Sequence, residues 1–71
     1  MAYREDIRNR NNLRIGWVQD DGSMLRAYHL SKGAVGWYNK GTDITFDKSG
    51  RIYCYGNGTC CLIRDADRGY L

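Results

Sequence analysis

At 71 residues, with 42% hydrophobic and 27% charged positions and a net charge of +3, the chain has room for one globular domain with a small core. No apolar run approaches the ~20 residues that a membrane-spanning helix needs. The charge is too modest to decide by itself for or against a polyanionic partner.

Arg4, Arg8, Arg10 and Arg14 crowd the N-terminal stretch "MAYREDIRNRNNLR", beside Glu5 and Asp6. Residues 1–6 read as a frayed basic arm of a single domain spanning residues 1–71. The stretch is polar throughout and carries no secretory signal pattern. With three cysteines, an odd number, this leads us to expect a cytoplasmic protein with reduced thiols. A domain this small without disulfides needs another source of stability, and self-association is the first candidate.

From Ile15 onward the pattern is that of strands. Ile15 and Trp17 lead into Asp20–Asp21–Gly22, a three-residue loop with Gly at the left-handed position. "SMLRAYHLSKG" (Ser23–Gly33) has a helical start and stop, but strand fits the surrounding pattern better. Val35, Trp37 and Tyr38 precede Lys40–Gly41, followed by Ile44–Thr45–Phe46. Ile52–Tyr53–Cys54–Tyr55 precedes Asn57–Gly58, a strong two-residue hairpin signal, and Cys60–Cys61–Leu62–Ile63 reads as the last strand. Nine glycines at short intervals suit turns better than helices.

The same phrase recurs. At a spacing of 17 residues Tyr38 meets Tyr55, Gly41 meets Gly58, Thr42 meets Thr59, Ile44 meets Cys61 and Phe46 meets Ile63. Looking back, Trp37 meets Trp17 and Gly41 meets Gly22. Asn12 falls near a glycine position, and Asn replaces Gly best where φ is positive. The expected fold is all-β: short antiparallel hairpin repeats of about 17–20 residues in a pseudo-symmetric or barrel-like arrangement. The turns predict the pairs Trp17–Leu25, Ile15–Ala27, Trp37–Ile44, Val35–Phe46, Cys54–Cys61 and Ile52–Ile63, all on one buried face. The other face would carry Arg14, Gly36, Asp43, Thr45, Arg51, Tyr53, Tyr55 and Cys60. If Trp37 is core, Trp37→Ala costs about 3–5 kcal/mol.

The glycine and aromatic spacing of "IGWVQDDGSMLRAYHLSKGAVGWYNKGTDITFDKSGRI", extended to Ile7–Ile63, resembles the small bacterial β-flower proteins. Short hairpins repeat around a pseudo-symmetry axis in that family. The chain departs from the pattern at Ala27–Leu30 and in its last copy, "RDADRGYL". The resemblance implies a hairpin-repeat fold and oligomers. It implies no activity.

No GxGxxG, P-loop or HExxH stands in the chain, and His29 has no nucleophile in a recognisable motif, so a non-catalytic protein without a cofactor is expected. Cys54, Cys60, Cys61 and His29 are of the right types for zinc, but no C-x-x-C supports the site. A small zinc- or thiol-dependent protein is therefore the least favoured reading. Asp65-x-Asp67-x-Gly69 lacks the rest of a calcium loop and reads as a turn.

The favoured reading is a binding or assembly module, homo-oligomeric, whose exposed Tyr and Arg engage a protein or an anionic ligand such as a nucleotide. The candidate contact residues are Arg8, Arg10, Arg14, Arg51, Tyr53 and Tyr55. A phage or mobile-element inhibitor that sequesters a target is one form of such a module. The second reading is direct nucleic-acid binding, with the N-terminal arginines on phosphates and Tyr53 and Tyr55 stacking on bases.

Overall fold

Turns centred on Gly, Asn and Asp cut the chain into six strands and one helix. The computed structural model describes residues 3–70; Met1, Ala2 and Leu71 lie outside the described residues. The strands are β1 (Tyr3–Arg8), β2 (Arg14–Asp20), β3 (Met24–His29), β4 (Gly33–Asn39), β5 (Ile44–Asp47) and β6 (Ile52–Tyr55), and the helix is α1 (Thr59–Asp67). The strands form one antiparallel sheet in the order β1-β2-β3-β4-β5-β6. The hairpin-repeat, mostly β fold is therefore as expected, but the sheet is an open meander and not a barrel. The supposed basic arm is also ordered from residue 3, where β1 pairs along β2 as far as Arg8.

Two of the turn residues behave as their chemistry dictates. Gly22 has φ 91° and Asn12 φ 63°, the left-handed region that these residue types tolerate best. Lys40–Gly41 does not form a two-residue turn. The loop runs over residues 40–43, and Asp43, at φ 58°, takes the left-handed position. Trp37 consequently pairs with Phe46, and Asn39 with Ile44. In the preceding hairpin the loop is residues 21–23, so Trp17 lies opposite Tyr28 and Asp20 opposite Leu25. That three-residue change in register puts Leu25 on the face opposite to Trp17, because side chains alternate.

The Ile/Val–Gly–Trp phrase shared by β2 and β4 marks a β-bulge that recurs in β6, whereas the 17-residue correspondence of Ile44 and Phe46 with Cys61 and Ile63 fails, because the first two lie in β5 and the last two in α1. In each of the pairs β1–β2, β3–β4 and β5–β6 the register slips by one residue. It slips between Ile7 and Arg8, between Ala27 and Tyr28, and between Thr45 and Phe46. The unpaired extra residues are Ile15, Val35 and Tyr53. A bulge turns two consecutive side chains toward the same side. Ile15 with Gly16, Val35 with Gly36, and Tyr53 with Cys54 thus all face one way, and Trp17, Trp37 and Tyr55 face the other.

The largest correction is at the C-terminal end. Asn57–Gly58 is not a hairpin turn, and Cys60–Ile63 is not a strand. Residues 59–67 form α1, which lies across the sheet. Thr59, Leu62, Ile63 and Ala66 are its buried residues, the i, i+3, i+4, i+7 stripe of an amphipathic helix. Its start is tied to β5. Thr45, fully buried, donates its hydroxyl to the Gly56 carbonyl at 2.6 Å and accepts the Gly58 amide at 2.8 Å. Its end is a Schellman motif, in which the Gly69 amide reaches Ala66 O at 3.1 Å and the Tyr70 amide reaches Asp65 O at 2.9 Å, with Gly69 at φ 86°.

The core lies between α1 and one face of the sheet. It consists of Ile7, Ile15, Val18, Ala27, Val35, Leu62, Ile63 and Ala66. The bulge glycines bring the layers together. A Cβ on Gly16 would stand 2.8 Å from Ile63 Cγ2 and 2.1 Å from Tyr28 O; one on Gly36 would stand 2.7 Å from Leu62 Cδ1 and 2.2 Å from Phe46 O. No side chain fits at either position, so β2 and β4 present bare backbone to the helix.

Candidate functional site

The helix covers one face of the sheet and leaves the other open, and the open face carries the large aromatics. Trp17 and Tyr28, directly opposite across β2 and β3, stack with centroids 5.0 Å apart and planes 13° apart. Trp37 and Phe46, opposite across β4 and β5, stack at 5.5 Å and 24°. Cross-strand aromatic pairs of this kind stabilise a sheet beyond their buried area. All four rings are only half-buried. Ile52, opposite Phe46, and Tyr55, opposite Ile44, extend the strip to β6, where they are 55% and 78% exposed.

Cations flank the strip. The Arg4 guanidinium carbon lies 4.4 Å from the Trp17 ring centre and that of Arg14 lies 5.4 Å away, both within cation–π range. Arg14 also reaches Asp6 at 2.9 Å. Arg26, opposite Trp37, holds Asp21 at 2.7 Å. Between these groups is a groove of about 350 Å³, lined by Met24, Arg26, Ala34, Gly36, Trp37 and Lys48. Ala34 is the residue opposite Tyr28. Its small side chain helps leave a slot where a larger residue would have continued the ladder of stacked rings.

The six residues expected at the contact surface separate. Arg14 lies on the open face against Trp17, and Tyr55 lies at the far end of the same face. Arg51 is exposed in the β5–β6 turn, its amide bonded to the Asp47 carboxylate at 3.1 Å. Arg8 closes the β1–β2 turn by donating to Asn12 O at 3.0 Å, and Arg10 sits within that turn. Tyr53 is a correction. As the bulge residue of β6 it faces the helix, where its hydroxyl donates to the Asp65 carboxylate. Burial, then that hydrogen bond, pushes its pKa well above the usual tyrosine range. It cannot stack on a ligand at the open face.

The expected core face is corrected in the same way. Trp17, Trp37, Ile44, Phe46 and Ile52 belong to the open face, and Ile15, Leu25, Val35 and Cys54 to the covered one. Cys61 is exposed on the helix, whereas Cys60 packs against the core, the reverse of the expected order. Thr45, expected to be wet, is buried.

His29 is buried on the covered face between β3 and α1. Its Nδ1 accepts the Ser31 amide at 3.2 Å, which places the ring proton on Nε2, and Nε2 donates to Asp67 at 3.0 Å. Asp65 and Asp67 therefore serve Tyr53 and His29 in place of a calcium loop. Among the described residues no three His, Cys, Asp or Glu side chains gather as a metal site would require. Nor is any helix of the described residues long and apolar enough to cross a membrane.

Sequence reasoning did not put Trp37, Trp17, Tyr28, Phe46 and Arg26 on the open face or Lys48 beside its groove, having placed the tryptophans in the core. The signal that could have found them is the bulge phrase Ile/Val–Gly–Trp. The glycine must lie under something that excludes a side chain, so the adjacent Trp points away from it. No protein-family model, no curated protein and no solved structure matches the chain.

Proposed function

We propose that the protein is a non-catalytic binding module whose helix-free sheet face takes a single-stranded nucleic acid. The observation that carries this reading is the pair of half-exposed cross-strand stacks, Trp17–Tyr28 and Trp37–Phe46, with Arg4, Arg14 and Arg26 beside them. Unpaired bases stack on aromatic side chains and on guanidinium planes, while cations meet the phosphates. The groove beside Trp37 is large enough for one base, with Arg26 and Lys48 at its rim for the flanking phosphates. An uncovered sheet gives a single strand access that a duplex, with its bases stacked inside, cannot use.

The test is fluorescence anisotropy with labelled oligonucleotides about ten nucleotides long, at low salt and then across a salt series. Binding should prefer single-stranded to duplex ligand, quench tryptophan emission and weaken steeply as salt rises. Absence of binding at low salt removes the reading.

A second reading, self-association, is favoured by one observation: β1 and β6 are both sheet edges, and β6 exposes Ile52 and Tyr55. A second copy paired along β6 would continue the aromatic strip. Light scattering on protein free of nucleic acid tests it, and a monomer mass at all concentrations ends it.

A further inference from the structure

On the covered side, beyond the end of α1, a cleft of about 460 Å³ is lined by Asn9, Arg10, Ile15, Arg64, Asp67 and Arg68. We infer that this cleft is a second site, for a phosphate monoester, with Arg10, Arg64 and Arg68 as its anion-binding residues. The inference does not rest on the open face binding anything.

The three arginines come from two separate elements. Arg64 and Arg68 are four residues apart on α1 and its C-cap, hence on one side of the helix. Cations near a helix C-terminus are ordinary, because they offset its partial negative charge. That accounts for two of the three. It does not account for Arg10, which the β1–β2 turn brings to the same cleft. The turn is well organised for holding it. Asn9 Oδ1 accepts the amides of Asn11 and Leu13 at 2.9 and 3.0 Å, the Asn9 amide reaches Leu13 O at 2.9 Å, and Arg8 ties Asn12 O. Arg64 further touches Arg8 O at 3.5 Å, which links the helix to that hairpin.

The cleft's one carboxylate, Asp67, is already bonded to His29. Three arginines thus line an open, polar space with one carboxylate, an excess of two positive charges, and like charges so placed repel in the absence of a counter-ion. Guanidinium forks match phosphate oxygens in geometry and give charge-assisted hydrogen bonds. A dianionic monoester answers three cations better than a diester does. The volume exceeds that of a bare phosphate and leaves room for a sugar. A free nucleoside monophosphate and the 5′-phosphate end of a strand share this chemistry.

Amide and arginine side-chain NMR shifts would be followed while the whole protein is titrated first with inorganic phosphate and then with adenosine monophosphate. Saturable shifts confined to the β1–β2 turn and the end of α1 are expected. Arg10→Ala and Arg68→Ala should each weaken binding about tenfold, the effect of removing one charge-assisted contact. Arg10→Lys should recover only part of it, and Arg51→Ala, an equal loss of charge outside the cleft, should leave it unchanged. Unsaturable shifts, or shifts spread equally over Arg26 and Arg51, would overturn the site. Comparing 5′-phosphorylated with 5′-hydroxyl oligonucleotides distinguishes the sources. A tighter phosphorylated strand assigns the site to a strand end. Binding of the mononucleotide alone assigns it to a free nucleotide, and in that case the proposal for the open face fails while this one stands. If neither the phosphorylated strand nor the mononucleotide binds, the site is overturned.

Discussion

The two faces of this sheet are built from the same three bulged hairpins, yet they have opposite chemistry. The centre of the covered face is made of small and branched residues, Ala27, Val18, Val35 and the bare Gly16 and Gly36, against Leu62 and Ile63, with Tyr53 at its β6 edge. The open face carries the bulk: two tryptophans, Tyr28 and Phe46 in stacked pairs. The residues with most apolar area to bury are the ones left half in water. In a chain designed only for stability the large rings would fill the core, where each fully buried side chain contributes most. Keeping them outside while the helix sits on glycine is the arrangement of a platform held rigid from behind.

The largest effects should come from breaking the covered face. Leu62 is fully buried, and Leu62→Ala should cost about 2–5 kcal/mol, enough to unfold much of a marginal domain. Gly36→Val should be comparable, because the added atoms meet both Phe46 O and Leu62, one of which is backbone that cannot move without breaking the β4–β5 pairing. Urea midpoints measured by circular dichroism check both. A Gly36→Val protein with an unchanged midpoint would mean that the helix does not approach β4 as described.

Trp37→Ala comes next and sharpens the contrast. Being half-buried and stacked on a single partner, Trp37 should lose only about 1–2 kcal/mol when truncated, mainly the stacking term and partial burial. The variant should remain folded and lose about tenfold or more in affinity for single-stranded oligonucleotide. A fall in stability as large as that of Leu62→Ala would put Trp37 back in the core and remove the platform.

The strand content, the succession of antiparallel hairpins and the positive-φ turns at Gly22 and Asn12 were legible because they are written locally, in alternation and in turn chemistry. What was not legible depended on counting across bulges. A bulge inserts one residue and flips the face of everything after it, so strict alternation put Trp17 with Ile15 and Trp37 with Val35, both tryptophans inside; the Trp17–Leu25 pairing fails for another reason, the loop at residues 21–23 in a pair without a bulge. The Trp17–Trp37 correspondence was visible, and its physical cause is the bulge at Ile15 and Val35; the 17-residue correspondence with residues 58–63 has no structural counterpart, because those residues enter α1. The helix was hidden for another reason. Its stripe, Thr59–Leu62–Ile63–Ala66, belongs to a helix only nine residues long. It also overlaps Cys60–Cys61–Leu62–Ile63, an apolar run that periodicity alone cannot tell from a strand. Gly58, read as a turn glycine, is needed because Cys54 Sγ would lie 2.3 Å from a Cβ there; its φ is −109°.

Between the two faces, the edge strand β6 offers a smaller test, because it sends neighbouring tyrosines in opposite directions. Tyr53 is held against the helix by burial and by its hydrogen bond to Asp65, and its folded pKa is raised above the unfolded value of about 10. The stabilisation it contributes is therefore complete below pH 10 and is lost as the pH rises beyond that toward the folded value. Tyr55, on the open face, is 78% exposed. Ultraviolet difference titration of the wild type against Tyr53→Phe should show Tyr53 absent from the phenolate step near pH 10. A Tyr53 that ionises near pH 10 in folded protein would contradict its packing against the helix.

The smallest effect belongs to the surface, at the end of the sheet where β2, β3 and β4 meet. Asp20 accepts from Lys40 Nζ at 2.9 and 3.0 Å and from the Gly22 amide at 2.9 Å. The lysine bond first and the amide second hold its carboxyl below the ordinary value of 3.8. A depressed carboxylate contributes above its unfolded pKa and loses that contribution as the pH falls through the folded value, so the window lies below about pH 4. Asp20 and Lys40 are both open to solvent, and exposed pairs are screened and weak. Asp20→Asn should therefore lower stability only slightly at neutral pH, with wild type and variant converging as the pH falls through that window and the difference shrinking in high salt. Because the pair joins the β2–β3 turn to the β4–β5 turn, it orients one end of the platform without carrying the fold. A large loss at neutral pH would show instead that this exposed end holds the sheet together, and would undo the division of labour between the two faces.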